Sequence, residues 1–305
     1  MQRICSSVTA GPLLCCTDYC DLCNRKNDDK MKKEYLSAPL PFVGQKRMFA
    51  KEYIKVLGEI KGAKVFVDLF GGSGLLSHIT KQQRPDVTVI YNDFDNYSRR
   101  LEHIGHTNAI LDRLRDILAS VPRLKIVPKP LKGRIIEMLA EEEAETGFVD
   151  YITLSTSLLF SMKYATTLDE MRKQTMYNRI KRTDYDADGY LDDVVVESCD
   201  YRELFEKYRN RDDVVFLVDP PYLSTDVSTY SMCWKLSDYL DVLKVLVGHK
   251  YVYFTSNKSS IVELCDWLGR NKEIGNPFIG STRKEFNASM NYNSHYTDIM
   301  LYNVA

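Results

Sequence analysis

Residues 217–222, Leu-Val-Asp-Pro-Pro-Tyr, combine an acid, two prolines and an aromatic ring directly after the apolar run Val-Val-Phe. Pro221 restricts Pro220, and Pro220 restricts Asp219, to extended backbone, so a strand ending here cannot run on into a helix. The backbone carbonyl groups of this corner therefore lack neighbouring N–H donors. Together with the Asp219 carboxylate they form a group of acceptors suited to the hydrogens of an amino group, and Tyr222 offers a flat face for a base. We predict a site that holds an aromatic amine and directs its nitrogen at an electrophile.

A glycine-rich turn follows an earlier β-branched run. In Phe-Val-Asp-Leu-Phe-Gly-Gly-Ser-Gly, Asp68 stands at the predicted end of a strand, and Gly71, Gly72 and Gly74 lie in the turn to the next helix. Ligands of open parallel sheets bind at such turns, because glycines allow close approach to the backbone and the helix N-terminus offers free N–H groups. The nicotinamide fingerprint G-x-G-x-x-G is not met, since residue 77 is Ser. A tight connection without a ligand explains the glycines equally well.

Two acids, Asp93 and Asp95, end the next predicted strand. A carboxylate at that position can accept hydrogen bonds from both ribose hydroxyl groups of a nucleoside. Asp95 could instead cap the following helix. The acids and the glycine turn together predict a ligand that contains a nucleoside.

These residues need a scaffold that brings strand ends together, and the sequence predicts one. Strands and helices alternate over residues 46–95 and again from residue 194, and the chain closes with two strand-like segments typical of a hairpin. This alternation indicates an α/β fold with a mostly parallel sheet and right-handed crossovers. We predict one domain from residues 31–99 and 199–305, interrupted by a largely helical insertion at residues 100–198.

Charge and composition favour a globular protein without a strong overall preference for nucleic acid. Lys and Arg number 41 and Asp and Glu number 42, so only local clusters can favour such a partner. Residues 122–134 hold five basic residues and no acid, and residues 163–182 hold six basic residues and two acids. Solvated helix faces explain both clusters about as well.

The chain has no apolar run near the length of about 18 residues that a membrane span needs, so we expect a cytoplasmic protein whose eight cysteines stay reduced. Four of the cysteines lie within nine residues, which is too close to surround one zinc ion easily; they are Cys15, Cys16, Cys20 and Cys23. Residues 1–30 are expected to be a disordered extension or an upstream segment outside the folded protein, because a natural-looking start follows at Met31.

The motif DPPY after DLFGGSG, with PFVGQKR near the front, resembles the Dam-like class of adenine-N6-specific DNA methyltransferases. In that class the cofactor motifs precede a target-recognition insertion and the catalytic motif follows it. The resemblance extends over roughly residues 39–303. It implies a Rossmann-like methyltransferase sheet with a C-terminal antiparallel hairpin, S-adenosyl-L-methionine as cofactor and double-stranded DNA as partner. We also expect a monomer, and no metal, because the cationic sulfonium already makes the methyl group electrophilic.

The resemblance also assigns roles to single positions. The cofactor-binding residues that it implies are Phe42, Lys46, Asp68, Phe70, Gly72, Gly74, Asp93, Asp200 and Asp219. The catalytic residues that it implies are Asp219, Pro220, Pro221 and Tyr222. The expected reaction is direct: an adenine turned out of the duplex stacks on the motif tyrosine, and its amino nitrogen attacks the sulfonium methyl in line. No cysteine is needed, because no covalent enzyme intermediate forms.

The insertion then becomes the expected target-recognition region. Candidates for DNA contacts are Asn178, Arg179, Lys181 and Arg182 in MYNRIKR, although a helix with a charged outer face explains them almost as well. The closing strands resemble the last motif of the class, which makes Asn291 and His295 candidates for the base pocket.

Ser256 and Asn257 are further candidates at a strand end. Two alternatives remain open: an RNA adenine methyltransferase, and a DNA-binding module with a vestigial cofactor site. The intact DPPY motif favours an active enzyme over the second of them.

Overall fold

The computed structural model describes residues 33–161, 163–221, 235–257, 259–270, 276–291 and 294–304. The first part of the chain contains α1 (Ala50–Glu59), β1 (Val65–Asp68), α2 (Leu75–Gln83), β2 (Thr88–Asn92) and α3 (Tyr97–Glu102). The middle part contains α4 (Ile104–Ile117), α5 (Lys129–Thr146), α6 (Tyr151–Leu158) and α7 (Leu168–Lys173). The last part contains β3 (Val195–Glu197), α8 (Tyr201–Tyr208), β4 (Val214–Val218), α9 (Leu236–Leu246), β5 (Lys250–Ser256), α10 (Ile261–Arg270), β6 (Thr282–Asn291) and β7 (Ser294–Asn303).

The seven strands form one sheet in the order β3-β2-β1-β4-β5-β7-β6. Strands β1 to β5 are parallel to one another, whereas β7 runs antiparallel to both β5 and β6. The α/β sheet with a C-terminal antiparallel hairpin, predicted from the sequence, is confirmed. Asp68 at the end of β1 lies opposite Leu217 in β4, two residues before Asp219. The glycine turn and the proline corner therefore leave the sheet at the same edge.

Both faces of the sheet are covered, which explains why its central strand β4 is apolar at every position. Every residue of β4 is buried, and alternate side chains enter different cores: Val215 and Leu217 pack with Phe66 on one side, and Phe216 packs with Val67 on the other. The strand ends are thus held by two independent packing surfaces.

Helices α4 to α7 lie between β2 and β3 in the sequence. They pack around a third core of fully buried residues such as Leu111, Leu139 and Leu154. This is the largely helical region predicted between the cofactor and catalytic motifs. The central sheet takes up Val195–Glu197 as β3, so the helical region ends before residue 195, earlier than the predicted boundary at residue 198. No described helix is long and apolar enough to span a membrane.

Candidate active site

A cleft of about 200 Å³ lies at the carboxyl ends of β1, β2 and β4. Its walls contain many of the residues that the sequence predicted for cofactor binding and catalysis. The described lining residues are Phe42, Val43, Gly44, Gln45, Lys46, Leu69, Phe70, Gly71, Gly72, Asn92, Phe94, Asp95, Cys199, Asp200, Tyr201, Asp219, Pro220, Pro221, Tyr296 and Asp298. Three predicted cofactor residues, namely Asp68, Gly74 and Asp93, are not among the lining residues.

The turn after β1 is packed so closely that side chains are excluded from it. A Cβ atom on Gly71 would lie 2.2 Å from the ring of Tyr91, which no native contact tolerates. Gly72 has a φ of 51° and would meet the ring of Phe42 at 3.0 Å. The glycines therefore serve first to bring Tyr91 and Phe42 against the turn. At this turn the wall of the cleft is therefore formed by backbone atoms.

Asp68 supports this turn from within the protein. It is fully buried, and the Ser77 hydroxyl on α2 donates a hydrogen bond of 2.7 Å to its Oδ2. Burial raises the pKa of Asp68 to about 7, and the nearby charge of Asp219 acts in the same direction, against the hydrogen bond from Ser77. Asp68 thus links the end of β1 to α2 instead of facing the cleft.

The proline corner carries an ion pair. Lys46 Nζ lies 2.5 Å from Asp219 Oδ2, with the two side chains 10% and 17% exposed, and it also donates to the carbonyl oxygen of Gly44. Burial raises the pKa of Asp219, while Lys46 lowers it. Pro220 is buried and Pro221 half-buried in the wall of the cleft. Tyr222 lies outside the described residues.

The segment that carries Phe42 and Lys46 is fixed by α3. The Tyr97 hydroxyl accepts from the backbone N–H of Leu40 at 3.0 Å and donates to the carbonyl oxygen of the same residue at 3.1 Å. Arg100 donates to the carbonyl oxygen of Pro41 at 2.8 Å. Residues 40 and 41 are therefore anchored directly before the first cleft residue.

The acid that the sequence assigned to ribose, Asp93, is committed to internal hydrogen bonds. Its Oδ1 accepts from the backbone N–H of Tyr97 at 2.6 Å, and its Oδ2 accepts from the N–H and the hydroxyl of Ser98. It is buried and does not line the cleft. The acids that do face the cleft on this side are Asp95 and Asp200. The geometry thus favours Asp95 over Asp93 as the partner of a ribose.

Asn92, at the end of β2, was not singled out by the sequence. Its side-chain amide donates to the carbonyl oxygens of Leu69 and Cys199, each at 3.0 Å, and its oxygen accepts from the N–H of Cys199 at 3.1 Å. It ties the turn after β1 to the segment that leads to Asp200. Its position directly before the acidic pair was the available signal.

Tyr296 and Asp298 on β7 also line the cleft and were also missed. The sequence pattern favours Asn291 and His295 in this hairpin, and the backbones of these two residues lie in β6 and β7. Their roles remain predictions. Ser256 and Asn257 do not line the described cleft, and Asn257 is bound to the backbone of Thr297.

The four residues predicted to contact DNA lie together at the end of the helical region, and two of them serve its fold. The Asn178 side chain donates to the carbonyl oxygen of Val121 at 2.7 Å, and Arg179 donates to the carbonyl oxygen of Leu159 at 2.9 Å. Lys181 lies over the ring of Tyr185, with 4.1 Å between Nζ and the ring centre. Arg182 is exposed. For Asn178 and Arg179 a structural role is the better account, because their polar groups satisfy backbone acceptors.

In the part of the chain that the structure describes, no cluster of three or more histidine, cysteine or acidic side chains is suited to a metal ion. The four crowded cysteines near the amino terminus lie outside the described residues.

Comparison with known proteins gives the family. The D12 class N6 adenine-specific DNA methyltransferases match residues 42–242. A Haemophilus influenzae (strain Rd) protein named "Putative methyltransferase" is 36% identical over 285 residues, which cover 89% of this chain and 93% of that protein.

Two solved structures are similar to this chain at low identity. Precorrin-6y C5,15-methyltransferase from Geobacter metallireducens is 9% identical with a TM-score of 0.37, covering 90% of this chain and all of that one (100%). A SAM-dependent methyltransferase from Agrobacterium tumefaciens is 10% identical with a TM-score of 0.38, covering 85% of this chain and 63% of that one. These scores are too low to support an argument. The family match, in contrast, extends over most of the chain. This protein belongs to the D12 class N6 adenine-specific DNA methyltransferase family.

Proposed function

We propose that this methyltransferase transfers the methyl group of S-adenosylmethionine to the N6 amino group of adenine in double-stranded DNA. The observation that carries the proposal is the Asp219–Pro220–Pro221 corner, which shares one cleft with the glycine turn. Membership of the family supports the adenine and DNA specificity.

The residues of the cleft suit S-adenosylmethionine. Tyr201 and Phe94 offer flat faces for an adenine ring, and the Tyr201 ring is itself supported by Phe70 at 4.8 Å between ring centres. Asp95 and Asp200 supply acceptors for hydroxyl and amino groups. When bound, this molecule supplies a sulfonium methyl group that a nitrogen lone pair can attack without a metal, with a neutral thioether as the leaving group.

The proline corner prepares the acceptor nitrogen. The lone pair of an adenine amino group is delocalised into the ring, which makes the nitrogen a poor nucleophile. If Asp219 and the carbonyl oxygen of Pro220 accept its two hydrogens, the nitrogen becomes pyramidal and its lone pair points at the methyl group. Lys46 holds the Asp219 carboxylate in place through the 2.5 Å ion pair. The corner thus works by positioning and charge alone.

A surface on the helical region suits the DNA duplex. Residues 122–127 run beside residues 176–178, joined by a bridge between Ile126 and Tyr177 and by the hydrogen bonds of Asn178. Two apolar side chains on this surface, Leu124 and Ile126, are 63% and 60% exposed. Leu124 has a φ of 64°, which is strained for a residue with a side chain.

Exposed basic residues surround these apolar ones, including Lys125 and Arg182. Basic side chains contact phosphates, and apolar side chains contact bases or sugars. We therefore extend the proposed DNA surface from Lys181 and Arg182 to residues 122–126, with Asn178 and Arg179 as its internal supports.

The test is transfer of a tritiated methyl group from S-adenosylmethionine to duplex DNA that lacks adenine methylation, with total RNA in a parallel reaction. We expect label in DNA as N6-methyladenine, and its loss in Asp219→Ala with the fold retained. The matched control is Asp266→Ala on the exposed face of α10, which should leave transfer unchanged. Label in RNA alone would replace the substrate assignment, and duplex binding without transfer would indicate a binding module.

A further inference from the structure

Asp298 is an acid of the cleft to which none of the predicted motifs gives a role. It is buried at 9% exposure on β7, in register with Ser256 at the end of β5. It lines the same cleft as Asp219 and Pro220. Strand β5 stands between β4 and β7, so the backbones of β4 and β7 are about 10 Å apart. The Asp298 side chain must extend toward the proline corner to reach that cleft.

The sheet order divides the cleft into two halves around Asp219. The residues suited to S-adenosylmethionine follow β1, β2 and β3, which all lie on one side of β4. Tyr296 and Asp298 lie on β7, on the other side. If the methyl donor occupies the first half, the acceptor base occupies the second. Asp298 therefore belongs to the acceptor half.

The charges of the cleft are strongly unbalanced. Among its described lining residues four are aspartates and one is a lysine, and that lysine is paired with Asp219. A cleft of this charge favours cations over anions. On the acceptor side the cleft is lined by a further carboxylate, that of Asp298.

The transfer moves a positive charge across the cleft. As the nitrogen–carbon bond forms and the carbon–sulfur bond breaks, the electron pair of the broken bond stays on sulfur, which becomes a neutral thioether. The adenine nitrogen gains the positive charge and then loses one proton to water. The charge thus passes from the donor half to the acceptor half.

We propose that Asp298 lowers the barrier to methyl transfer by placing a negative charge beside the acceptor nitrogen as it becomes cationic. The inference rests on the proposed function. An interaction that strengthens only as the charge arrives accelerates the chemical step without tightening binding of the methyl donor. The field of Asp298 already reaches the corner, because its charge raises the pKa of Asp219 in addition to the larger effect of burial.

The experiment compares wild type, Asp298→Asn, Asp298→Glu and Asp266→Asn in single-turnover transfer of tritiated methyl to duplex DNA. Asp298→Asn keeps the shape and removes the charge, and we expect it to slow the transfer step by about 100-fold. Its Kd for S-adenosylmethionine, measured by calorimetry, should change less than about twofold, since uniform binding is not affected. Asp298→Glu should recover part of the rate, and Asp266→Asn should match wild type.

Three results would overturn the inference. The first is an unchanged rate constant in Asp298→Asn, and the second is a loss that weaker cofactor binding fully accounts for. The third is an equal loss in Asp298→Asn and Asp298→Glu, which would show a structural role; thermal unfolding of both variants identifies that case. If wild type itself transfers no label to DNA, the proposed function fails, and this inference fails with it.

Discussion

The Asp68 carboxyl group should make the stability of this protein depend on pH. Asp68 is fully buried, and burial raises its pKa from 3.8 to about 7. The folded chain therefore holds the proton more tightly than the unfolded chain does. Well below pH 4 both states are protonated and folding has no such cost, whereas stability is lost as the pH rises from about 4 to about 7. A shift of about three pKa units at about 1.4 kcal/mol each amounts to about 4 kcal/mol.

Asp68→Asn removes the titrating group and keeps its shape. The amide oxygen can still accept the hydrogen bond from the Ser77 hydroxyl. We expect the variant to gain up to about 4 kcal/mol over wild type between pH 4 and pH 8.5, a large part of the stability of an ordinary domain. The measurement is urea unfolding followed by circular dichroism at several pH values, with unchanged m-values as the check that both chains unfold alike.

Asp266→Asn is the control, because Asp266 is exposed on α10 and its substitution should add no pH dependence. A free-energy difference between wild type and Asp68→Asn that stays flat from pH 4 to pH 8.5 would refute the reasoning. It would mean that Asp68 ionises in the folded protein as it does in the unfolded chain, so that the buried environment carries no cost.

Three further outcomes are expected. Gly71→Ala should destabilise the protein by about 3 kcal/mol or more in urea unfolding, because the new Cβ would lie 2.2 Å from the Tyr91 ring; a smaller loss would show that the turn can move. Asn178→Ala should cost about 2 kcal/mol, since the carbonyl oxygen of Val121 loses its donor, and an unchanged stability would contradict its structural role. Arg182→Ala should leave stability unchanged but weaken duplex binding and reduce by about 1 the slope of log affinity against log salt; an unchanged slope would remove Arg182 from the DNA surface.

The sheet could be predicted because each parallel strand is a short, continuous apolar run and each turn has its own signal. The glycine turn and the proline corner lie about 150 residues apart in the chain, yet parallel strands end at the same edge, and so their meeting followed from the pattern. The antiparallel hairpin followed from two β-rich segments close together. The periodicity of apolar residues and the direction of the strands were thus enough to predict the fold and the location of the site.

Individual side-chain contacts could not be predicted from the sequence, because they depend on which backbone groups need a hydrogen-bond partner. Asn178 was predicted to contact bases since it lies among basic residues, but a carbonyl oxygen 57 residues earlier takes its amide. Asp298 was missed since its place in the cleft depends on the order β4-β5-β7, which brings a late strand near the proline corner. Sequence patterns specify the element to which a residue belongs and leave open which neighbour takes its polar atoms.

Asp93 shows how an acid can act on the site without touching a ligand. Its carboxylate accepts the first N–H groups of α3 at Tyr97 and Ser98. The same helix places Tyr97 against the backbone of Leu40, and it places Arg100 against Asp150 at 3.0 Å and Pro41.

Those contacts fix the segment from which Lys46 reaches Asp219. An acid at the end of β2 is thus connected to the proline corner at the end of β4 through one short helix and the amino-terminal segment. Because each of these links is buried and satisfied, loss of the Asp93 carboxylate should displace Lys46 as well as the helix it begins. The Asp93 carboxylate thus helps to build the wall of the cleft, and the ribose contact that the sequence assigned to it stays a prediction.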